Sequence, residues 1–189
     1  MKEFQHDIIQ SLNVLNNDGI ILYPTDTIWG IGCNATNEKA IKKIYQLKKR
    51  DEKKSMIILL SEINDLKFYV SEPSEIILQF LLESRKPVTA IFENAFNLPD
   101  LLINEDGTVA IRIVKDSFCQ RLIHQSGVPL VSTSANISGG NYPRNFNDIS
   151  EEIKNGVDYV VQHRRDDVNI YEPSSIIKLN SEKGIDIIR

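Results

Sequence analysis

The sequence predicts an α/β fold, with helices packed on a mixed sheet, and three observations carry the prediction. Short apolar, β-prone runs alternate with stretches whose apolar residues recur at helical spacing. Glycine and proline stand where those elements should stop, at Gly19, Pro24 and Gly127. The 189 residues, 41% hydrophobic and 25% charged, suffice for one buried core and so for a single domain over 1–189.

Phe4, Ile8, Ile9, Leu12 and Leu15 share one face of a helix over 4–17, with Gly19 just past its end. Residues 20–23 read as a strand stopped by Pro24, which hands the chain to the polar loop Thr25-Asp26-Thr27. Strand ends are where α/β folds place ligands. Thr36 stands where it would cap a second helix, whose Ala40, Ile41, Ile44, Tyr45 and Leu47 line one face, and a basic loop follows. Further strands are expected at 56–60, 88–92, 109–114, 130–132, 159–161 and 176–179. Helices are expected at 62–69, 74–84, 117–125 with Asp116 as cap, and 147–155.

Lys and Arg total 22 against 26 Asp and Glu, a formal net charge of −4, so the field of the whole molecule does not favour nucleic acid. Cys33 and Cys119 lie far apart and form no Cys-x-x-Cys, which points to reduced, intracellular thiols rather than a disulfide framework or zinc knuckle. No apolar run approaches the roughly 20 residues of a membrane helix, and the expectation is a cytoplasmic protein with no membrane association. His6, His124 and His163 lack metal-ligand spacing, and no metal site is expected.

Four segments have the residue types for chemistry. In Thr25-Asp26-Thr27, hydroxyls and a carboxylate crowd a strand end, with Gly30 and Gly32 allowing close backbone approach; a small polar ligand or a turn closed by its own side chains accounts for them. Between Lys42 and Lys54 stand seven basic residues and two acidic ones. That cluster suits a triphosphate or an RNA backbone, or is a solvated helix end. In Ser132-Thr133-Ser134-Ala135-Asn136 and the glycine pair Gly139-Gly140, donors and free backbone amides suit phosphate or ribose oxygens, though an Asx-rich turn has the same composition. It is neither a Walker loop nor Gly-x-Gly-x-x-Gly. Arg112 interrupts an otherwise apolar strand and so needs an anionic partner, either a substrate carboxylate or an Asp or Glu of the chain.

Taken together, YPTDTIWGIGC, the Lys48-x-Arg50 pair, TVAIR, PLVSTSANISGG and the late PSSII resemble the YrdC-like family, the bacterial threonylcarbamoyl-AMP synthases, over roughly residues 5–189. The resemblance implies an open, twisted mixed sheet with flanking helices around a concave electropositive cavity. It implies synthesis of threonylcarbamoyl-AMP and pyrophosphate from L-threonine, bicarbonate and ATP, a nucleotidyltransfer that feeds N6-threonylcarbamoyladenosine formation in tRNA. By motif, Thr27, Arg112, Ser132 and Ser174 would hold threonine. Lys48, Arg50, Lys54, Thr108, Ser134, Asn136 and Arg189 would hold ATP, with Arg50 and Lys54 as the catalytic pair and Mg²⁺ accompanying the nucleotide. The product would pass to the threonylcarbamoyltransferase complex, and direct tRNA contact is left open.

Three features depart from the family pattern. Ser84-Arg85-Lys86-Pro87-Val88-Thr89 stands where many relatives have Trp-Pro-Gly-Pro-x-Thr, Leu59 where some have histidine, and Ser55-Met56 where Pro-Leu is common. The rival readings are a nucleotide- or RNA-binding YrdC-like paralogue without this activity, and carbamoyl-adenylate chemistry like that of the hydrogenase-maturation relatives.

Overall fold

The computed structural model describes residues 4–182 and 184–189. Among the described residues five α-helices and nine strands follow in the order α1 (Gln5–Asn16), β1 (Ile21–Tyr23), β2 (Gly30–Gly32), α2 (Glu38–Lys48), β3 (Ile57–Leu60), α3 (Glu75–Glu83), β4 (Val88–Phe92), β5 (Val109–Ile113), α4 (Ser117–Ser126), β6 (Leu130–Ser134), α5 (Glu151–Gly156), β7 (Tyr159–Val160), β8 (Ser175–Leu179) and β9 (Ile185–Ile187). The strands form an open sheet in the order β7-β1-β2-β6-β3-β5-β4-β8-β9, with parallel and antiparallel neighbours mixed.

Local signals placed most elements. In α4 the Asp116 carboxylate accepts from the Cys119 amide, and Gly127 ends the helix in the left-handed region at φ 68°. The strand over 88–92 forms as expected. Several expectations need correction. The cap of α2 is Asn37, whose side chain accepts from the Ala40 amide, while the Thr36 hydroxyl donates to Asn34 Oδ1 instead. Residues 63–68 form a 3-10 segment rather than an α-helix, and 147–155 divides into a 3-10 turn at Phe146–Asp148 and the shorter α5. Gly30–Gly32 and Ile185–Ile187, where no strand is expected from the sequence, are strands. And β6 runs on to Ser134, because Gly30 and Ile31 of β2 pair with Ser134 and Thr133.

Alternation along β5 sets the two faces of the sheet. Val109 and Ile111 are fully buried in the core, while Ala110 and Arg112 border a cavity on the other face. Core residues from α4 (Phe118, Leu122) and α1 (Ile8, Leu15) are fully or almost fully buried, and the two helices pack together. Removing such side chains from water, at roughly 1.5–3 kcal/mol each, is what holds the layers. Among the described residues no helix is long and apolar enough to cross a membrane.

Candidate active site

Pro24 ends β1, and the loop after it is closed by its own hydroxyls. Thr25 Oγ1 donates to the Ile28 carbonyl (2.8 Å), accepts from the Thr27 amide (3.0 Å) and lies 2.9 Å from Thr27 Oγ1. Both Thr25 and Thr27 are buried. The loop is held from outside by Arg164, which donates to the Thr25 carbonyl (2.6 Å) and pairs with Asp116 (3.2 Å). Arg164 has no motif around it, and sequence reading passed it over.

Asp26 reaches the β5 segment at two points. Its Oδ2 accepts from the Lys115 amide (3.1 Å), and its Oδ1 lies 3.3 Å from Arg112 Nη2, with both side chains largely buried. The chain thus supplies an anionic partner for Arg112. The pairing is incomplete, however: Asp26 Oδ1 and Arg112 Nε are buried without a hydrogen-bond partner. A buried guanidinium with unspent donors is costly to keep, so an additional anion would be well received there.

Across the sheet, β6 and β2 contribute by close approach. A Cβ on Gly32 would stand 2.4 Å from the Val131 carbonyl, and one on Gly30 would stand 3.1 Å from Ser132 Oγ. Gly32 thus leaves no room for a side chain against β6, and a side chain on Gly30 would press on Ser132. Lys48, at the end of α2, is almost fully buried and donates to the carbonyls of Ser134 and Asn136, the latter at 2.6 Å. Burial, reinforced by the nearby Arg50 charge, pushes its ammonium down to about 7. In the loop after β6, Asn136 Oδ1 and Ser138 Oγ are buried without partners.

Lys49 adopts a left-handed conformation (φ 50°) that ends α2 and turns Arg50 off the helix. Arg50 then closes its own turn, donating to the carbonyls of Lys54 and Ser55 (2.9 Å each). At the other end of the site the Ser174 hydroxyl lies 2.8 Å from that of Thr89, while its carbonyl accepts from Arg189 (3.2 Å to Nη2). Burial first, and then the charge of Arg112, lower the proton affinity of Arg189, so two cations share one space.

These segments border a single cavity of about 270 Å³. Of the residues singled out by sequence, Thr27, Arg50, Arg112, Ser132, Ser134, Ser174 and Arg189 line it. Lys48, Lys54, Thr108 and Asn136 do not: Lys48 lies beneath the loop, Lys54 is exposed, and Asn136 donates its side-chain amide to the Gly140 carbonyl. Thr108, at the entry to β5, bonds Asp106 and Asn104. Trp29, Ser55, Met56 and Tyr142 also border the cavity. Of these, Ser55-Met56 departs from the family pattern, so the difference falls on the cavity wall. Leu59 is buried in the core and sits opposite Arg112 in the β3–β5 register. The surface lysines of α2 are largely neutralised locally, Lys39 by Asp18 and Lys43 by Asp158, while Lys49 pairs with Glu152.

A family model described as telomere recombination, covering Sua5, YciO and YrdC, matches residues 13–189. A Methanocaldococcus jannaschii protein named "Putative threonylcarbamoyl-AMP synthase" is 34% identical over 90% of this chain and 79% of its own. The threonylcarbamoyl-AMP synthase of Buchnera aphidicola (subspecies Schizaphis graminum) is 35% identical over 71% of this chain and 73% of its own. Among solved structures, P. abyssi Sua5 complexed with L-threonine superposes with a TM-score of 0.84 at 22% identity, over 97% of this chain. E. coli YciO gives 0.80 at 21% identity, over 98% of this chain and 89% of its own. The chain spans a little over half, 54%, of that Sua5.

Proposed function

The chain belongs to the Sua5/YciO/YrdC family, and from that premise we propose that it is a threonylcarbamoyl-AMP synthase, joining L-threonine, bicarbonate and ATP with release of pyrophosphate. The observation that carries the reading is convergence. Guanidinium groups from three distant positions, Arg50, Arg112 and Arg189, meet the hydroxyls of Thr27, Ser132 and Ser174 around one cavity. A carboxylate, a triphosphate and bicarbonate are all anions, and a pure RNA binder would not need a hydroxyl-lined pocket between its cations.

In the proposed reaction bicarbonate loses hydroxide to give CO2, the threonine nitrogen bonds its carbon and gives up a proton, and proton and hydroxide leave as water, which yields a carbamate. A carbamate oxygen then attacks the α-phosphorus of ATP as the bond to the β-phosphate oxygen breaks, and pyrophosphate leaves with the electron pair. Arg112 takes the threonine carboxylate, with Thr27, Ser132 and Ser174 around the amino acid. Arg50 and Arg189 take the phosphates and Ser134 and Asn136 flank the nucleotide, while Lys54 stays outside the cavity on the exposed turn after Arg50. Lys48 acts by shaping the loop that carries Ser134 and Asn136, and Thr108 immediately precedes the strand that carries Arg112. Such a site works by positioning and by stabilising charge, and so needs no nucleophile of its own.

Magnesium enters this scheme as the counter-ion of ATP. The cavity's donors are guanidinium and hydroxyl groups, which suit anions, and among the described residues no cluster of three or more His, Cys, Asp or Glu is placed to hold a metal. The product is labile and destined for a threonylcarbamoyltransferase complex, with tRNA as its ultimate acceptor, in the cytoplasm.

The test is label incorporation from bicarbonate, together with pyrophosphate release, in the presence of ATP and L-threonine. Omitting threonine should stop both, and Arg50→Ala should abolish them. Pyrophosphate release independent of threonine would overturn the reading in favour of other adenylate chemistry.

A further inference from the structure

We infer that Asp26 is a positioning residue that clamps the Thr27 loop to β5 and thereby aims Arg112 at the carboxylate of the amino-acid substrate. The inference rests on the threonine reading above and goes beyond it, since Asp26 is not among the residues lining the cavity.

The geometry separates this role from that of an ordinary structural ion pair. A buried pair offsets its desolvation only when its donors and acceptors are well matched. Here the contact of 3.3 Å between Arg112 Nη2 and Asp26 Oδ1 leaves Oδ1, and Nε of the same guanidinium, without a hydrogen bond. A pair optimised for folding would present the guanidinium fork to both carboxylate oxygens. Asp26 instead spends its second oxygen on the backbone amide of Lys115, three residues beyond Arg112 in the chain. One carboxylate therefore grips β5 and its exit at two places while its own backbone leads directly into Thr27. The two sides of the amino-acid pocket, a hydroxyl and a guanidinium 85 positions apart, are set relative to each other through this side chain.

The aim is supported from behind. Cys119 and Tyr23 are buried next to the pair, close enough for the charges of both Asp26 and Arg112 to act on the thiol and that of Arg112 on the phenol. Cys119 also donates to the Pro24 carbonyl at 3.4 Å. The guanidinium is thus packed on that side and borders the cavity on the other, which is the side from which a ligand oxygen would meet it.

Replacement of Asp26 by Asn keeps an acceptor for the Lys115 amide but sets an uncharged amide against Arg112. Calorimetric titration of the intact protein with L-threonine, with 3-hydroxybutyrate, which lacks the amine, and with threoninol, which lacks the carboxylate, reads out the aim. In Asp26→Asn the two carboxylate ligands should weaken at least tenfold, while threoninol and ATP stay within about twofold of wild type. Equal losses for threoninol and threonine, or no loss for either, would overturn the inference. Asp26→Glu retains the charge but displaces it, and should show the same selective loss, which covers the case in which Asp26→Asn does not fold. Wild-type protein that binds ATP but no threonine would instead overturn the threonine reading itself.

Discussion

Lys48 and Asn136 stand 88 residues apart in the chain, yet the lysine ammonium donates to the asparagine carbonyl at 2.6 Å. The same ammonium reaches the Ser134 carbonyl, and the Lys48 carbonyl accepts from the Ser138 amide at 2.8 Å. The end of α2 is thereby fastened to the loop that follows β6, from both its side chain and its backbone. Lys48→Met should strand two acceptors at about 1–3 kcal/mol each and weaken ATP binding more than threonine binding, as calorimetry would measure. The same residue sets a pH dependence. Burial lowers its folded-state pKa to about 7, against 10.5 when exposed, so from pH 7 to 10.5 the unfolded chain holds a proton that the folded chain has lost. Stability from this group therefore rises with pH across that window, by at most about 1.4 kcal/mol per unit, and is flat below it. Denaturant midpoints across pH 6–9 should show the rise in wild type and lose it in Lys48→Met.

Gly32 has no room for a side chain. An added Cβ would meet the Val131 backbone carbonyl at 2.4 Å and the Tyr23 ring at 2.7 Å, and the carbonyl belongs to a central strand that cannot move aside cheaply. Gly32→Ala should cost at least about 1–3 kcal/mol, the range for overpacked cores. Thermal unfolding would record it, whereas Gly107→Ala, with open space around it but a positive φ of 76°, should cost about 1 kcal/mol, from backbone strain alone.

Arg164 supports the site without bordering it. Its two terminal nitrogens join the Thr25 carbonyl to Asp116, the N-cap of α4. Arg164→Leu should leave Asp116 and the Thr25 carbonyl unpaired and loosen the Thr27 loop. We expect the KM for threonine to rise several-fold while the KM for ATP changes by less than twofold, in steady-state pyrophosphate-release assays.

The chain's local chemistry made much of this legible. Asp116 and Gly127 marked both ends of α4, and the apolar run over 88–92 marked β4, because a helix cap or a buried strand is specified by residues within a few positions of each other. Motif segments pointed to Thr27, Arg50, Arg112, Ser132, Ser134, Ser174 and Arg189, which do border one cavity. Harder to read were elements whose reason lies elsewhere in the chain. Gly-Ile-Gly at 30–32 has neither the alternation nor the length of a strand, and becomes one only because β1 and β6 flank it.

Residue types and their local order determined the fold class, most element positions and the inventory of donors for an anionic, amino-acid-bearing substrate. The tertiary structure decided which donors face the cavity: it buried Lys48 under a loop, left Lys54 outside, and bound Asp26 to both Arg112 and Lys115. The reason is physical. Propensities and caps act over one or two turns of chain, whereas a charge buried away from water must find its partner wherever the packed sheet places one.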